Sequence, residues 1–421
     1  MHDLVRRLLP ICRSITGEGV RETLGILSEN LPTPMNIEEV PSGTAAFDWN
    51  VPKEWAIREA WIEDENGNRI VDFAQHNLHI VGYSVPVDSW VTLQELQERL
   101  YSLEDQPDAI PFVTSYYKEH WGFCLAHSER VKLKEGNYRV FIDSELKDGH
   151  LTYGEWILPG ETEEEVFISS YICHPSMANN ELSGPVVATW IAKWLATQPR
   201  RYTYRIVFVP ETIGSIVYLS RYRELLRERV VAGFNLSCIG DDRNYSYLAS
   251  RYESTMADRV AQNVLKSHHP GYKKYSFLER GSDERQYCSP GVDLPLVTLC
   301  RTRFGEYSEY HTSLDNLDVV TPDGLSGGFD LVSECLEVLE KNRTYQATCY
   351  GEPQLGKRGL YPSLSTKGHE PFAKMLIDLL AYADGSNDLI GISNIIGNPV
   401  SDLWPVAERL VEEGLLEELE K

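Results

Sequence analysis

Residues 156–350 alternate between two hydrophobic patterns. Short runs that are almost entirely apolar predict buried strands at 165–172, 204–210, 232–239 and 294–300. Longer segments with apolar residues at helical spacing predict helices at 184–197, 214–228, 254–267 and 324–341. This alternation is typical of a mostly parallel sheet that is covered by helices on both faces. The pattern therefore predicts an α/β domain.

The segments before this region have different patterns. Residues 1–46 have apolar positions at helical spacing and predict a helical opening. Residues 47–155 contain short β-branched and aromatic runs, separated by turn signals such as Asn66-Gly67-Asn68. We therefore predict one α/β domain formed by 1–46 and 156–350, with a β-rich domain inserted at 47–155.

The last segment, 358–421, is predicted to be a compact helical module. Its helices are predicted at 371–383, 389–395 and 399–414, and three helices of these lengths resemble a winged helix-turn-helix. From Lys357 onward, six basic residues stand against eleven acidic ones, which would repel phosphates. We expect a packing or oligomerisation module, so homo-oligomers are consistent with the sequence and a DNA reader is not favoured.

The whole chain is acidic. A formal net charge of -23 over 421 residues argues against a nucleic-acid partner. There is no run of about 18 apolar residues for a membrane span, and the first residues lack the apolar core of a signal peptide. The eight cysteines form no Cys-x-x-Cys pair, so a cysteine zinc site is not expected. Several lie in apolar strands, where a free thiol behaves as a small hydrophobic residue, which favours a reduced protein. We expect a cytoplasmic protein that binds neither nucleic acid nor membrane.

Three polar motifs stand at predicted strand ends, where open α/β sheets place their ligands. They contain His174, Glu211 and His311. Imidazole and carboxylate groups are zinc donors, and a glutamate beside a metal can accept a proton from water. The motifs favour a zinc-peptidase-like site. The alternative is that each histidine is a hydrogen-bonded structural residue.

These motifs resemble those of the M28 zinc aminopeptidases. The whole chain resembles the bacterial aminopeptidase-like proteins of the DUF4910 family, which carry an inserted DUF2172 domain and a C-terminal winged helix. The matching stretches are SITGEGVR at 14–21, FDWNVP at 47–52, CHPS at 173–176, PETIGS at 210–215, GSDERQY at 281–287 and YHT at 310–312. The resemblance implies an M28-like zinc exopeptidase fold, with a mixed, mostly parallel sheet between helices.

The resemblance also implies roles for single residues. His174 and His311 match the first and the last metal-binding histidine. Asn180 matches the aspartate that bridges two zinc ions, and Glu211 matches the general base.

Several carboxylates of the M28 pattern are replaced in this chain. Asn180 replaces the bridging aspartate, Thr212 the second glutamate of the pair, and Ser237 a further aspartate. Ser176 stands where an aspartate usually orients the first histidine. Two zinc ions need negative charge to offset their mutual repulsion. We therefore expect one Zn²⁺ ion, held by His174, His311 and a third donor.

The third donor is left open by the sequence. Asn180 and Glu181 are the nearest candidates, and Asp283 or Glu284 could replace them if their loop reaches the histidines. Glu181 could instead cap the helix that begins near Ser183, because acidic residues are favoured at helix N-termini.

Further residues on the motif loops are candidates for substrate binding: Arg285, Arg301, Arg303 and Tyr287. An arginine there could hold a substrate carboxylate through two hydrogen bonds, or pair with a neighbouring acidic residue. Tyr287 and Tyr307 could line a pocket or belong to the core.

Three functions remain open. The first is a zinc-dependent amide hydrolase of aminopeptidase type, which would act on a small peptide or an acylated amino compound with Glu211 as base. The second is a metal-poor, non-catalytic relative that acts as a binding or assembly protein, since so many carboxylates are missing. The third is a winged-helix regulator, which the acidic charge opposes.

Overall fold

The computed structural model describes residues 1–360 and 370–419. The chain forms two compact units, one of Met1–Thr255 with Lys273–Phe329 and one of Met256–Tyr272 with Asp330–Lys421. Part of the predicted module 358–421, including Lys367 and Lys421, lies outside the described residues.

The strands of the described residues are β1 (Asn36–Pro41), β2 (Ala45–Ala46), β3 (Trp49–Asn50), β4 (Glu54–Glu63), β5 (Arg69–Asp72), β6 (Val87–Thr92), β7 (Leu100–Tyr101), β8 (Phe123–Cys124), β9 (Asn137–Lys147), β10 (His150–Leu158), β11 (Glu165–Tyr171), β12 (Thr203–Val209), β13 (Val230–Leu236), β14 (Ser246–Leu248), β15 (Lys273–Tyr275), β16 (Leu296–Cys300), β17 (Thr344–Ala347), β18 (Asp384–Asp388) and β19 (Leu416–Leu419).

The helices are α1 (His2–Leu8), α2 (Glu18–Glu29), α3 (Leu93–Gln97), α4 (His127–Arg130), α5 (Ser183–Leu195), α6 (Ile213–Arg229), α7 (Met256–His268), α8 (Glu284–Tyr287), α9 (Pro322–Lys341), α10 (Glu370–Tyr382), α11 (Leu389–Ile396) and α12 (Val400–Glu412). A π-helical turn, Ala178–Leu182, precedes α5.

An eight-stranded mixed sheet is the centre of the first unit, with the strand order β1-β10-β12-β11-β13-β16-β14-β15. The middle strands β12, β11, β13 and β16 run parallel, whereas β10 pairs with β12 and β14 with β16 in antiparallel fashion. These four parallel strands are the four strands predicted from the apolar runs, and the predicted helices correspond to α5, α6, α7 and α9. The predicted fold class is confirmed.

The β-rich segment 47–155 contributes a four-stranded sheet of order β5-β4-β9-β6. Its apolar face shares one hydrophobic core with the central sheet. Trp55 and Val140 of the segment belong to the same buried cluster as Phe167 and Val207 of β11 and β12. The segment is therefore part of the first compact unit, and its status as a separate inserted domain stays a prediction.

The second unit contains α10, α11 and α12 with the antiparallel sheet β18-β17-β19. Helices α10, α11 and α12 coincide with the predicted ones, whereas the strands β17, β18 and β19 were not predicted. Helix α7, from the middle of the chain, also belongs to this unit, where Asn263 donates a hydrogen bond to Ser393 of α11 (2.8 Å). Among the described residues, no helix is long and apolar enough to cross a membrane.

Candidate functional site

His174 and Glu211 meet at the carboxyl ends of two neighbouring parallel strands. His174 follows β11 and Glu211 follows β12, so the sheet places both at one edge. His174 Nε2 lies 3.7 Å from Glu211 Oε2, and the Glu211 side chain is 21% exposed whereas that of His174 is buried. The predicted pair is therefore adjacent, with the carboxylate on the open side.

His311 completes the predicted cluster from a loop after β16. Its carbonyl oxygen accepts a hydrogen bond from Phe112 N (2.8 Å), and its ring stacks on Tyr310. The ring centroids of His174 and His311 are 5.4 Å apart. Burial, together with the nearby His174, lowers the pKa of His311 to about 3. The ring is therefore neutral near pH 7 and keeps a lone pair for a metal.

The second ring nitrogen of His174 is held by an acidic residue that the sequence left ambiguous. Nδ1 of His174 lies 2.8 Å from Glu181 Oε2, and both side chains are buried. Glu181 belongs to the π-helical turn Ala178–Leu182. Ser176, at the usual position of the orienting aspartate, instead accepts a hydrogen bond from Asn77 Nδ2 (2.8 Å).

A buried arginine from the N-terminal segment lies behind this pair. Arg13 Nε donates to the carbonyl oxygen of His174 (3.0 Å) and lies 3.7 Å from Glu181 Oε1. Its Nη1 donates to the carbonyl oxygen of Leu8 (2.8 Å), which fixes the guanidinium to the end of α1. Desolvation lowers the pKa of Arg13, and the negative charge of Glu181 opposes that shift.

Asn180 lies in a neutral hydrogen-bonded cluster. Tyr171 OH donates to Asn180 Oδ1 (2.9 Å) and shares a hydrogen bond with Ser237 Oγ (2.7 Å). Burial raises the pKa of Tyr171 well above its usual value, so its hydroxyl stays protonated. These contacts engage the amide oxygen that a metal would need, which favours a structural role for Asn180 over the predicted metal-binding one.

The segment Ser282–Arg285 holds Glu211 and its turn. Ser282 Oγ donates to Glu211 Oε1 (2.9 Å), and Arg285 Nη2 donates to Thr212 Oγ1 (2.8 Å). Asp283 Oδ1 accepts from Thr212 N (2.7 Å) and from Ser215 Oγ (2.8 Å). Thr212 has φ 65°, a conformation that a β-branched residue rarely adopts. The segment therefore fixes a strained turn that presents Glu211.

The two acidic residues of this segment are held by hydrogen bonds within the fold. Burial and the nearby Glu211 raise the pKa of Asp283 to about 8, and its Oδ1 is engaged at the start of α6. Glu284 is fully buried and accepts hydrogen bonds from Gly281 N, Ser282 N and Thr298 Oγ1. These contacts favour structural roles for both carboxyl groups, and a role of either as the third metal donor stays a prediction.

Three of the predicted substrate contacts have partners within the fold. Tyr287 is fully buried, and its hydroxyl bonds Ser169 Oγ (2.8 Å), so it belongs to the core. Arg301 is buried, and its Nη1 donates to the carbonyl oxygen of Gly324 (3.2 Å). Arg303 pairs with Glu306 (3.0 Å).

Of the two remaining candidates, Arg285 lies beside the site and Tyr307 lies in the core. Arg285 is beside the site, but it contacts the Glu211 turn, so substrate binding by it stays a prediction. Tyr307 is buried and donates to Asp315 Oδ2 (3.0 Å), which makes it a core residue.

The donor set fits one metal ion better than two. Two imidazoles on one zinc place their ring centroids roughly 6 Å apart at most, which the 5.4 Å separation of His174 and His311 satisfies. Asn180 and Ser237 offer only neutral groups where a second ion would need charge. Arg285 brings a cation to Thr212, the position of the missing second glutamate.

The group Cys173, His174 and Glu181 has donor atoms within 4.8 Å of one another but fits a metal less well. Arg13 already provides a cation beside Glu181. Burial raises the pKa of Cys173 to about 11, so the thiol keeps its proton near pH 7. A metal is therefore better placed on the Nε2 side of His174, which faces Glu211.

Sequence reasoning missed three contributors to this site. Arg13 precedes His174 by 161 positions and Ser282 follows Glu211 by 71, so no local pattern links them. Tyr171 was included in an apolar run as a core residue. Arg13 lies between the apolar residues Ile11 and Ile15, but the helical opening also contains Arg6, Arg7 and Arg21, so the sequence does not single it out.

The fold is that of an aminopeptidase-like protein. A domain of unknown function, DUF4910, matches residues 2–342, and a winged helix-turn-helix domain matches residues 343–418. The chain belongs to the DUF4910 family.

The relatives agree with this assignment. A Clostridium acetobutylicum protein, named provisionally as a polysaccharide biosynthesis protein with an aminopeptidase-like domain, is 42% identical over 93% of this chain and 90% of its own length. A crystal structure from the same organism, named provisionally as a peptidase, has a TM-score of 0.92 at 41% identity, covering 99% of this chain and 96% of that one.

More distant structures share the fold. The zinc aminopeptidase BSAP from Bacillus subtilis matches with a TM-score of 0.56 at 12% identity, covering 79% of this chain and 92% of its own. A peptidase M28 precursor from Shewanella amazonensis matches with a TM-score of 0.56 at 13% identity, covering 84% and 94%. The predicted M28-like fold and C-terminal winged helix are confirmed.

Proposed function

We propose that this protein is a metal-dependent amide hydrolase of aminopeptidase type, with a single zinc ion and Glu211 as general base. The observation that supports the proposal is the position of Glu211. Its carboxylate is partly exposed, 3.7 Å from His174 Nε2, and fixed by Ser282 on its other oxygen. A zinc aminopeptidase fold and the names of the close relatives are consistent with amide hydrolysis.

In this proposal His174 Nε2 and His311 hold the ion. A bound zinc would polarise the amide carbonyl and lower the pKa of a water. The third protein donor stays open, because Asn180 is engaged by Tyr171 and Glu181 by His174.

Glu211 has the properties that a general base needs. Burial raises the pKa of its carboxyl, which moves the group towards the working pH of a protein base. Ser282 leaves Oε2 free to take a proton from water, and the same oxygen can pass it to the leaving amine. The substrate stays a small peptide or an acylated amino compound.

The test is Glu211→Gln, assayed on leucine p-nitroanilide and on its N-acetyl form. Glutamine keeps the hydrogen bond from Ser282 but cannot accept the proton, so turnover should fall by about 10²–10⁴-fold. Zinc content, measured by elemental analysis, should stay at the wild-type level. Glu98→Gln, an exposed change on the surface, is the control. Retained turnover in Glu211→Gln would contradict the proposed mechanism.

The alternative is a non-catalytic binding or assembly protein, favoured by the neutral cluster of Tyr171, Asn180 and Ser237. Zinc content distinguishes the two functions. Protein purified without chelators should contain about one zinc per chain if it is a hydrolase. A zinc content below about one-tenth of an ion per chain, together with weak rebinding of added zinc, would favour the alternative.

A further inference from the structure

His174 faces different surroundings at its two ring nitrogens. Nδ1 lies 2.8 Å from Glu181 Oε2, and Nε2 points towards Glu211, whose Oε2 is 3.7 Å away. A carboxylate accepts hydrogen bonds and donates none, so the proton of a neutral His174 ring belongs on Nδ1. The lone pair then lies on Nε2. The hydrogen bond at one nitrogen thus determines what the other can bind.

The other neighbours of His174 do not fix the ring in this way. Ser176 bonds Asn77 and the carbonyl oxygen of Leu9. The Cys173 thiol is 3.6 Å from Nδ1, and a thiol is only a weak donor and acceptor. Glu181 is therefore the strong acceptor at Nδ1, at sequence position +7 instead of the usual +2.

Glu181 depends in turn on the N-terminal segment. Its Oε1 is fully buried, accepts no hydrogen bond, and lies 3.7 Å from Arg13 Nε. An isolated carboxylate in such a place would be strongly disfavoured without a cation nearby. Arg13 provides that cation and also bonds the His174 carbonyl oxygen (3.0 Å), so it holds the backbone and the carboxylate together.

We propose that Glu181 and Arg13 are positioning residues that fix His174 with its proton on Nδ1 and its lone pair on Nε2. Arg13, from the segment between α1 and α2, thereby contributes to the site. The role of Nε2 as a metal ligand rests on the proposed function, whereas the state of the ring does not.

The first test is the ring state of His174 in metal-free protein, read from long-range ¹H–¹⁵N NMR of ¹⁵N-histidine-labelled protein at a pH where the ring is neutral. The wild type should show the Nδ1–H form. A neutral ring with its proton on Nε2, or a ring that stays doubly protonated up to pH 10, would overturn the proposal without any variant.

Variants then separate the two residues. Glu181→Gln keeps an acceptor oxygen and should keep the Nδ1–H form. The double variant Arg13→Met with Glu181→Met removes both charges together, so no single buried charge is left behind. It should populate the Nε2–H form. A folded double variant, checked by circular dichroism, that keeps pure Nδ1–H would contradict the role of Glu181.

Zinc affinity provides a second measurement. Relative to wild type, the double variant should bind zinc 10–100-fold more weakly, which is about the effect of losing an outer-shell partner. Arg13→Met combined with Glu181→Gln, compared with Glu181→Gln alone, isolates Arg13 and should show a further loss of at least about threefold. Equal affinity and equal ring state in that pair would remove Arg13 from the proposal. A wild type that binds no zinc contradicts the proposed function, while the ring state can still be judged by NMR.

Discussion

Asp283 shows how a single residue can be buried, acidic and uncharged. Its pKa of about 8 follows from burial and from the neighbouring Glu211, so the carboxyl group carries a proton at neutral pH. One oxygen accepts from Thr212 N and Ser215 Oγ, which fixes the turn that carries Glu211. The residue acts through hydrogen bonds, not through charge.

We therefore expect different results from two substitutions of Asp283. Asp283→Asn imitates the protonated acid and should change the free energy of unfolding little below about pH 4, where Asp283 is protonated in both the folded and the unfolded chain. Asp283→Ala leaves the N–H of Thr212 without an acceptor, whereas Ser215 Oγ can still donate to the carbonyl oxygen of Thr212 (2.9 Å), and the substitution should cost about 1–3 kcal/mol. Urea unfolding followed by tryptophan fluorescence measures both. A cost that is equal for the two variants would contradict this account.

The same comparison has a pH dependence with a defined sign. The folded-state pKa of Asp283 lies above the ordinary value of 3.8, so the folded protein holds a proton that the unfolded chain releases. Wild-type stability relative to Asp283→Asn should be greatest below about pH 4 and should fall as pH rises towards about 8. A difference that does not change over this range would contradict the raised pKa.

The residues of the site were predictable only where a local motif carried them. His174, Glu211 and His311 follow apolar strands or stand in recognisable motifs, so the sequence indicated them. Arg13 was not predictable, because its partners are 161 and 168 positions away. Tyr287 and Arg301 were candidates for substrate binding because they are near motifs in sequence, but both are buried.

At the scale of elements, apolar runs predicted the central strands well and amphipathic spacing predicted the helices. Strand β19 was missed because Leu416-Glu417-Glu418-Leu419 has a composition that also suits a helix. It becomes a strand by antiparallel pairing with β17, from Leu419 opposite Thr344 to Leu416 opposite Ala347. Gly414, with φ 68°, lies just after α12 and allows the chain to turn there.

The start of α11 gives a prediction for the second unit. Asp388 caps the helix through Gly391 N (2.8 Å), accepts from Asn342 Nδ2 (3.0 Å), and pairs with Arg259 of α7. Asp388→Ala removes the cap and should cost about 1–2 kcal/mol. Asp388→Asn keeps a capping oxygen and should cost less. Thermal unfolding monitored by circular dichroism compares them, and equal losses would mean that the cap contributes little.

At the scale of the whole molecule, the two compact units do not follow the order of the chain. The winged helix-turn-helix match begins at residue 343, but Met256–Tyr272 also belongs to the second unit. The buried residues of α7, such as Val260 and Val264, therefore belong to a unit whose other helices come much later. The hydrophobic pattern identified α7 as a helix, but it could not identify its unit, because the pattern does not show which other element the apolar face packs against.

A chain shortened to end at Asn342 should therefore be destabilised, whereas it would keep its stability if residues 1–342 formed a domain of their own. Without α11, the apolar face of α7 loses its partners, so we expect a lower unfolding midpoint and increased binding of a hydrophobic dye. The unshortened chain with Asn263→Ala, which removes the hydrogen bonds to Ser393 and Asn394, is the mild control. An unchanged midpoint in the shortened chain would contradict this division into units.

The same arrangement affects how the protein is made. Leu389 emerges from the ribosome roughly 120 residues after His268, which at about 5–20 residues per second is a delay of roughly 6–24 s. During that time α7 has been synthesised, but its partner helix does not yet exist. We therefore expect the nascent chain to expose the apolar face of α7 for seconds, and its yield in cells to depend on chaperones that bind such segments.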